Sequence, residues 1–154
     1  DCTFTDSFSI ASLKAPRGRG ACIEKIRYES CRLVNHDESI KSSKWFKGAL
    51  YLDCFYGEDE YDVSAFRPVG ETTSVIQDIE LKNIELETKE GHAVYLVGLP
   101  ESPARRIRLE NVTARGKWGL YAENVEGLLL KNVSVEAEEG DDVRMKRVKG
   151  VVIR

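Results

Sequence analysis

Four cysteines, two histidines and two acidic clusters are the groups in this chain whose types could do chemistry. Cys2, Cys22, Cys31 and Cys54 form no Cys-x-x-Cys pair, and neither His36 nor His92 stands at zinc-ligand spacing from them. A structural zinc site needs such close pairs, so the spacing argues against one. Three of the cysteines, Cys2, Cys22 and Cys31, fall within strand-like runs. They read as buried free thiols acting as small apolar residues, and the redox compartment stays open. The acidic stretch from Glu58 to Asp62 matches no calcium-loop spacing. Asp141-Asp142 after Gly140 reads as a turn, and His92 after Gly91 as a strand-edge residue. No metal or cofactor is expected.

The balance of charge narrows the partners. Acidic residues number 26 against 23 basic ones, well mixed, for a net charge of −3, and no basic run offers nucleic acid a footprint. No apolar stretch approaches the roughly 18 residues of a membrane span. The 154 residues suffice for one domain. The chain opens on Asp1-Cys2-Thr3-Phe4, which reads as the end of a strand, so the expectation is a C-terminal portion of a larger domain.

The elements that must position any site are strands, and they repeat. Ile23 to Cys31, Ile76 to Ile84, Ala104 to Val112 and Val125 to Val133 each alternate apolar and polar residues, break at a polar residue and resume on an apolar one. A shorter copy runs from Val148 to Arg154. Ile107 and Leu128 are 21 residues apart, Leu128 and Val151 are 23, and Ile79 and Ile107 are 28. A period in the low twenties with no helical pattern between strands predicts an all-β, single-stranded right-handed parallel β-helix, a solenoid of roughly six coils over residues 1–154. A leucine-rich repeat would need a regular Leu framework that is absent here.

Stacking makes two columns legible. The turn position reads Asp1, Ser30, Asn83, Asn111, Asn132, and the next reads Cys2, Cys31, Ile84, Val112, Val133. Asn side chains can hydrogen-bond along such a column, and Asn tolerates the left-handed backbone of a tight corner. The sequons at Asn111 and Asn132 are therefore read as structural rather than as glycosylation sites. Insertions at Lys41 to Gly48 and Gly57 to Thr73 are candidates for a binding face, since long loops of solenoids gather there.

Several pieces in order resemble a known family. Gly98-Leu99-Pro100-Glu101-Ser102-Pro103 leads into Ile107 to Val112, and Glu123-Asn124-Val125-Glu126-Gly127-Leu128 into Leu130 to Val133. With Ser12-Leu13-Lys14-Ala15-Pro16-Arg17-Gly18-Arg19-Gly20-Ala21, these resemble the C-terminal coils of glycoside hydrolase family 28, the polygalacturonases, over nearly the whole chain. The resemblance implies inverting hydrolysis of galacturonan-type pectin, which needs a carboxylic acid and a carboxylate base roughly 6.5–9.5 Å apart. The family's catalytic aspartates precede the motif that Lys14 matches, and only 11 residues precede Ser12 here. No catalytic residue is therefore assigned, and the chain alone is expected to be inactive.

What the resemblance carries over is substrate binding. Lys14 corresponds to the family lysine that contacts the substrate carboxylate, as suits a polymer with one anion per sugar. Ser12 replaces the family arginine and removes a bidentate clamp; Arg17 and Arg19 are the candidates to compensate. Gly140-Asp141-Asp142 and Gly91-His92-Ala93 resemble the family's aspartate pair and histidine motif, but in reversed order and far beyond Lys14. The alternatives are a non-catalytic β-helix module binding anionic polysaccharide, and a calcium-using pectate lyase-like helix. The resemblance favours a secreted or cell-envelope location, which the residues themselves leave open. Exposed terminal coils are expected to associate end to end.

Overall fold

The computed structural model describes residues 1–57 and 62–154. Strand β1 spans Cys2–Thr5, β2 Ala11–Lys14, β3 Cys22–Asn35, β4 Gly48–Asp53 and β5 Val75–Thr88. Strand β6 spans His92–Val97, β7 Ala104–Gly116, β8 Trp118–Ala137, β9 Val143–Lys149 and β10 Val152–Ile153. Among the described residues the one helical segment is a 3₁₀ turn at Glu38–Ser42, capped by Asp37. The ten strands of the described residues join one sheet in the order β1-β3-β5-β7-β8-β6-β4-β2, with β9 and β10 added along β8. The pairings are parallel throughout, and the sheet curls into a half-barrel.

The register follows from the period-two pattern. Ile26, Ile79, Ile107 and Leu128 are direct partners on β3, β5, β7 and β8, as are Tyr28, Leu81, Leu109 and Leu130. A slip of one residue would turn each apolar row out to solvent, so burial holds the register. Facing this set lie Leu50, Val94, Leu120 and Leu52, Leu96, Ala122 from β4, β6 and the first half of β8. Apart from Ile26 and Tyr28 on β3, which are partly buried, these residues are almost fully buried, and the rows meet in one apolar core. Strand β8 joins the two halves: Trp118 to Glu123 pair with β6, and Val125 onward pair with β7. It bends at Asn124 and Gly127, whose φ values are 52° and 74°.

The corners carry left-handed residues that an L-amino acid adopts at a cost of about 1–2 kcal/mol. At one corner Ser30, Asn83, Asn111 and Asn132 have φ between 51° and 56°. Asn132 Nδ2 donates to Asn111 Oδ1 and Asn111 Nδ2 to Asn83 Oδ1, both at 2.9 Å, so the expected amide ladder is present. At the other corner Lys25, Asp78 and Arg106 are left-handed (φ 57°, 56° and 54°), and Arg106 donates two hydrogen bonds to the Asp78 carboxylate at 2.6 and 2.8 Å. Charge stacks there where amides stack at the first.

All four cysteines are free thiols, but only Cys54 is buried; Cys2 and Cys22 are exposed and Cys31 is intermediate. Cys2 and Cys31 do share the inward column with Ile84, Val112 and Val133. Their exposure comes from lying toward the β1 side, where fewer neighbours cover the column. The opposite side exposes Val143, Val151, Val152 and Ile153, the last at 73%.

Candidate functional site

One face of the half-barrel concentrates aromatic rings and cations. Strands β2, β4, β6, β8 and β9 place Ser12, Tyr51, Tyr95, Tyr121 and Arg144 in one register column. Two residues on, Lys14, Asp53, Val97, Glu123 and Lys146 form the next column of the same face, because alternate residues of a strand share a side. His92 pairs with Trp118 at the other flank of the tyrosines. Tyr95 and Tyr121 stack at 5.6 Å between ring centroids, and His92 lies 5.3 Å from the rings of both Tyr95 and Trp118.

The chain covers part of this row. Phe8 meets Phe46 at 5.2 Å and Tyr51 at 6.4 Å, and Trp45 meets Tyr56 at 4.8 Å. Tyr51 is thereby fully buried. The insertion from Lys41 to Gly48, expected at a binding face, supplies Trp45 and Phe46 to it. Gly48 allows the close seat: a Cβ there would lie 2.2 Å from the His92 carbonyl oxygen. Phe8 and Trp118 crop out at opposite ends, 37% and 42% exposed.

The three cations expected at a substrate site do not converge. Lys14 Nζ sits 4.4 Å from the Tyr56 ring centroid, 5.4 Å from Tyr51 and 5.8 Å from Phe8, with no carboxylate partner among the described residues. Arg17 turns inward: its Nε and Nη2 donate to the two carboxylate oxygens of Glu101 at 2.9 Å each, and Nη2 donates to the Ala65 carbonyl at 2.8 Å. Both side chains of this pair are nearly sealed from water, at 5% and 2% exposure. Arg19 stands exposed on a turn between Gly18 and Gly20. Of these three, only Lys14 presents its charge at the aromatic face.

Two cavities of about 390 and 360 Å³ adjoin at His92, Tyr95 and Trp118. The larger is closed on its far side by Glu139, Asp141, Arg144 and Lys146. The two segments set aside in the sequence, around His92 and around Asp141, thus share one cavity. Sequence order concealed this, because a single strand, β8, separates them in the sheet. Four strand spacings separate the Lys14 level from that of Lys146, about 19 Å at the usual spacing. A larger concavity of about 550 Å³ runs along the asparagine ladder. Its amides bond one another and Arg32 pairs with Glu85 at 3.1 Å, so its polar groups are largely engaged within the protein.

The titrating groups have identifiable environments. Burial, then the hydrogen bond to Glu123, pushes the Tyr121 phenol up to about 12. Glu123 accepts from Tyr121 and from Arg147, which also donates to Asn124 Oδ1 at 2.9 Å. Burial pushes the Cys54 thiol up to about 12, which keeps it protonated and unreactive. Desolvation holds the His92 imidazole below its ordinary value, against a hydrogen bond to the Gly119 backbone, and Nδ1 has no hydrogen-bond partner among the described residues.

A histidine depressed in the folded state leaves proton uptake to the unfolded chain as pH falls. Its contribution is present above the ordinary value and is lost as pH drops through and below it. Between about pH 7 and about pH 5 the melting temperature of the parent is expected to fall further than that of His92→Gln. Parallel falls in the two proteins would mean that His92 is solvated.

Among the described residues no cluster of three or more His, Cys, Asp or Glu side chains could hold a metal ion. The acidic stretch considered for calcium lies outside the described residues from 58 to 61, and Asp62 accepts from the Ser64 amide at 2.8 Å. The aromatic row escaped the sequence reading, although Leu50-Tyr51-Leu52, Val94-Tyr95-Leu96 and Leu120-Tyr121-Ala122 repeat a signal that could have found it. Comparison with protein-family models, with curated proteins and with solved structures finds no match to this chain.

Proposed function

We propose that this chain forms part of a right-handed parallel β-helix of the polygalacturonase type and binds a galacturonan-type polysaccharide along its aromatic face. The observation that carries the reading is the coincidence of outcropping rings, Phe8 and Trp118, with cations that have no carboxylate partner among the described residues, Lys14, Arg144 and Lys146. Rings offer apolar surface to the C–H face of a pyranose, and cations offer charge-assisted hydrogen bonds to its carboxylate. The stacked parallel register and the left-handed corners recurring at matched levels support the helical reading of the curled sheet. The exposed apolar residues on the β9 and β10 side keep end-to-end self-association within the proposal.

A non-catalytic module is the second reading, favoured by the state of the carboxylates nearest the row. Asp53 accepts from the Phe55 amide at 2.8 Å, and Glu123 is held by Tyr121 and Arg147. Calorimetric titration with galacturonate oligomers tests the shared element of both readings. Binding is expected to weaken with added salt, and Lys14→Gln to weaken it by about tenfold. Equal affinity for neutral galactan oligomers of the same length would sink the proposal. Reducing-end release measured in the same samples separates the two readings, since the module binds without cleaving.

A further inference from the structure

The cavity between Trp118 and Arg144 has features that a general polysaccharide track does not require. Its sides differ in chemistry. Trp118, 42% exposed, and the His92–Tyr121 pair, 5.7 Å apart, form an apolar wall. Arg144 follows Tyr121 in its register column, and Lys146 follows Glu123. Neither cation has a carboxylate partner among the described residues. Glu139 and Asp141 line the remaining rim.

That rim is fixed in place. The Glu138 and Glu139 amides donate to the Gly116 and Lys117 carbonyls at 3.0 and 2.9 Å, and Leu120 N donates to the Asp142 carbonyl at 2.8 Å. The Asp142 carboxylate accepts from the Ala137 amide at 2.8 Å, closing the turn on itself. The volume of about 390 Å³ falls within the range of small-ligand sites.

We propose that this cavity is a subsite for one carboxylated sugar residue. The ring stacks on Trp118, the carboxylate is held by Arg144 and Lys146, and the hydroxyls donate to Glu139 and Asp141. The inference rests on the polysaccharide-binding reading above and locates its acid-specific end. Ser12 and Arg144 occupy the two ends of one column. Four strands from Lys14, the planar guanidinium of Arg144 can fork the carboxylate of a different sugar residue.

The test titrates the full chain with galacturonate oligomers, their methyl esters and amino-sugar oligomers of equal length. The double variant Arg144→Gln, Lys146→Gln is expected to lose about tenfold in affinity for the free acid and nothing for the ester. Trp118→Ala is expected to weaken acid and ester alike. All three side chains are exposed, so their thermal melts are expected to match the parent's. An equal loss for acid and ester in the double variant, or no loss, overturns the subsite. Preference for amino sugars overturns it too, because the Glu139–Asp141 rim would then set the specificity. If Lys14→Gln weakens binding and the double variant does not, the subsite fails while the general reading stands. A parent chain that binds none of the oligomers overturns that reading and this inference together.

Discussion

Arg17→Ala is expected to destabilise this protein by about 3–5 kcal/mol, read from urea unfolding midpoints. The guanidinium satisfies both oxygens of Glu101 in a site where neither side chain exceeds 5% exposure, and its carbon lies 5.0 Å from the Phe55 ring centroid. Deleting it leaves a carboxylate sealed from water without a counter-charge. Against a typical total of about 5–15 kcal/mol, that is a large fraction of the stability. Replacing both partners, Arg17→Met with Glu101→Leu, removes the charges together and is expected to recover most of the loss. Arg17→Lys keeps the charge but loses the fork, and is expected to fall between. A loss under about 1 kcal/mol for Arg17→Ala would show that the pair behaves as a solvated surface bridge. Any binding defect in an Arg17 variant must accordingly be corrected for the fraction folded.

Gly119→Ala is expected to destabilise by about 1–3 kcal/mol or more, and to open the cavity beside Trp118. A Cβ at Gly119 would lie 2.0 Å from the Asp142 carbonyl oxygen and 2.9 Å from that of Asp141. Both atoms are backbone, so relief requires moving the turn that holds the cavity's acidic rim. That same movement strains the Leu120–Asp142 hydrogen bond. Gly140→Ala in the same turn is the control, since its Cβ meets nothing within 4 Å but its φ is +80°. It is expected to cost about 1 kcal/mol through backbone conformation alone and to leave the cavity closed. Equal effects of the two substitutions on stability and on oligomer binding would refute the steric account of Gly119.

Much of the sheet was legible in the residue pattern. Aligning Ile79, Ile107 and Leu128 by their alternation yields the pairing found in the sheet, and the column through Asn83, Asn111 and Asn132 is a hydrogen-bonded corner. Both follow from local rules: a period of two fixes which side chains turn inward, and Asn is among the few residues at ease with a positive φ. Lys14 could likewise be singled out, as the cation of a motif rather than by its surroundings.

The rest depended on which distant segments the sheet brings to one level. Tyr51 and Tyr95 are 44 residues apart and Tyr95 and Tyr121 are 26, because insertions of unequal length separate them, so no fixed period exposes their row. Arg17 lies among small, turn-forming residues that suggest solvent, yet it meets Glu101 from 84 positions away and is sealed. His92 and Asp141 are likewise distant in the chain but flank one strand and share one cavity. Alternation and turn chemistry act over a few residues and are written in the sequence. Burial, ion pairing and cavity walls arise only when parallel strands stack, and they decided which of the cations remains free to meet a ligand.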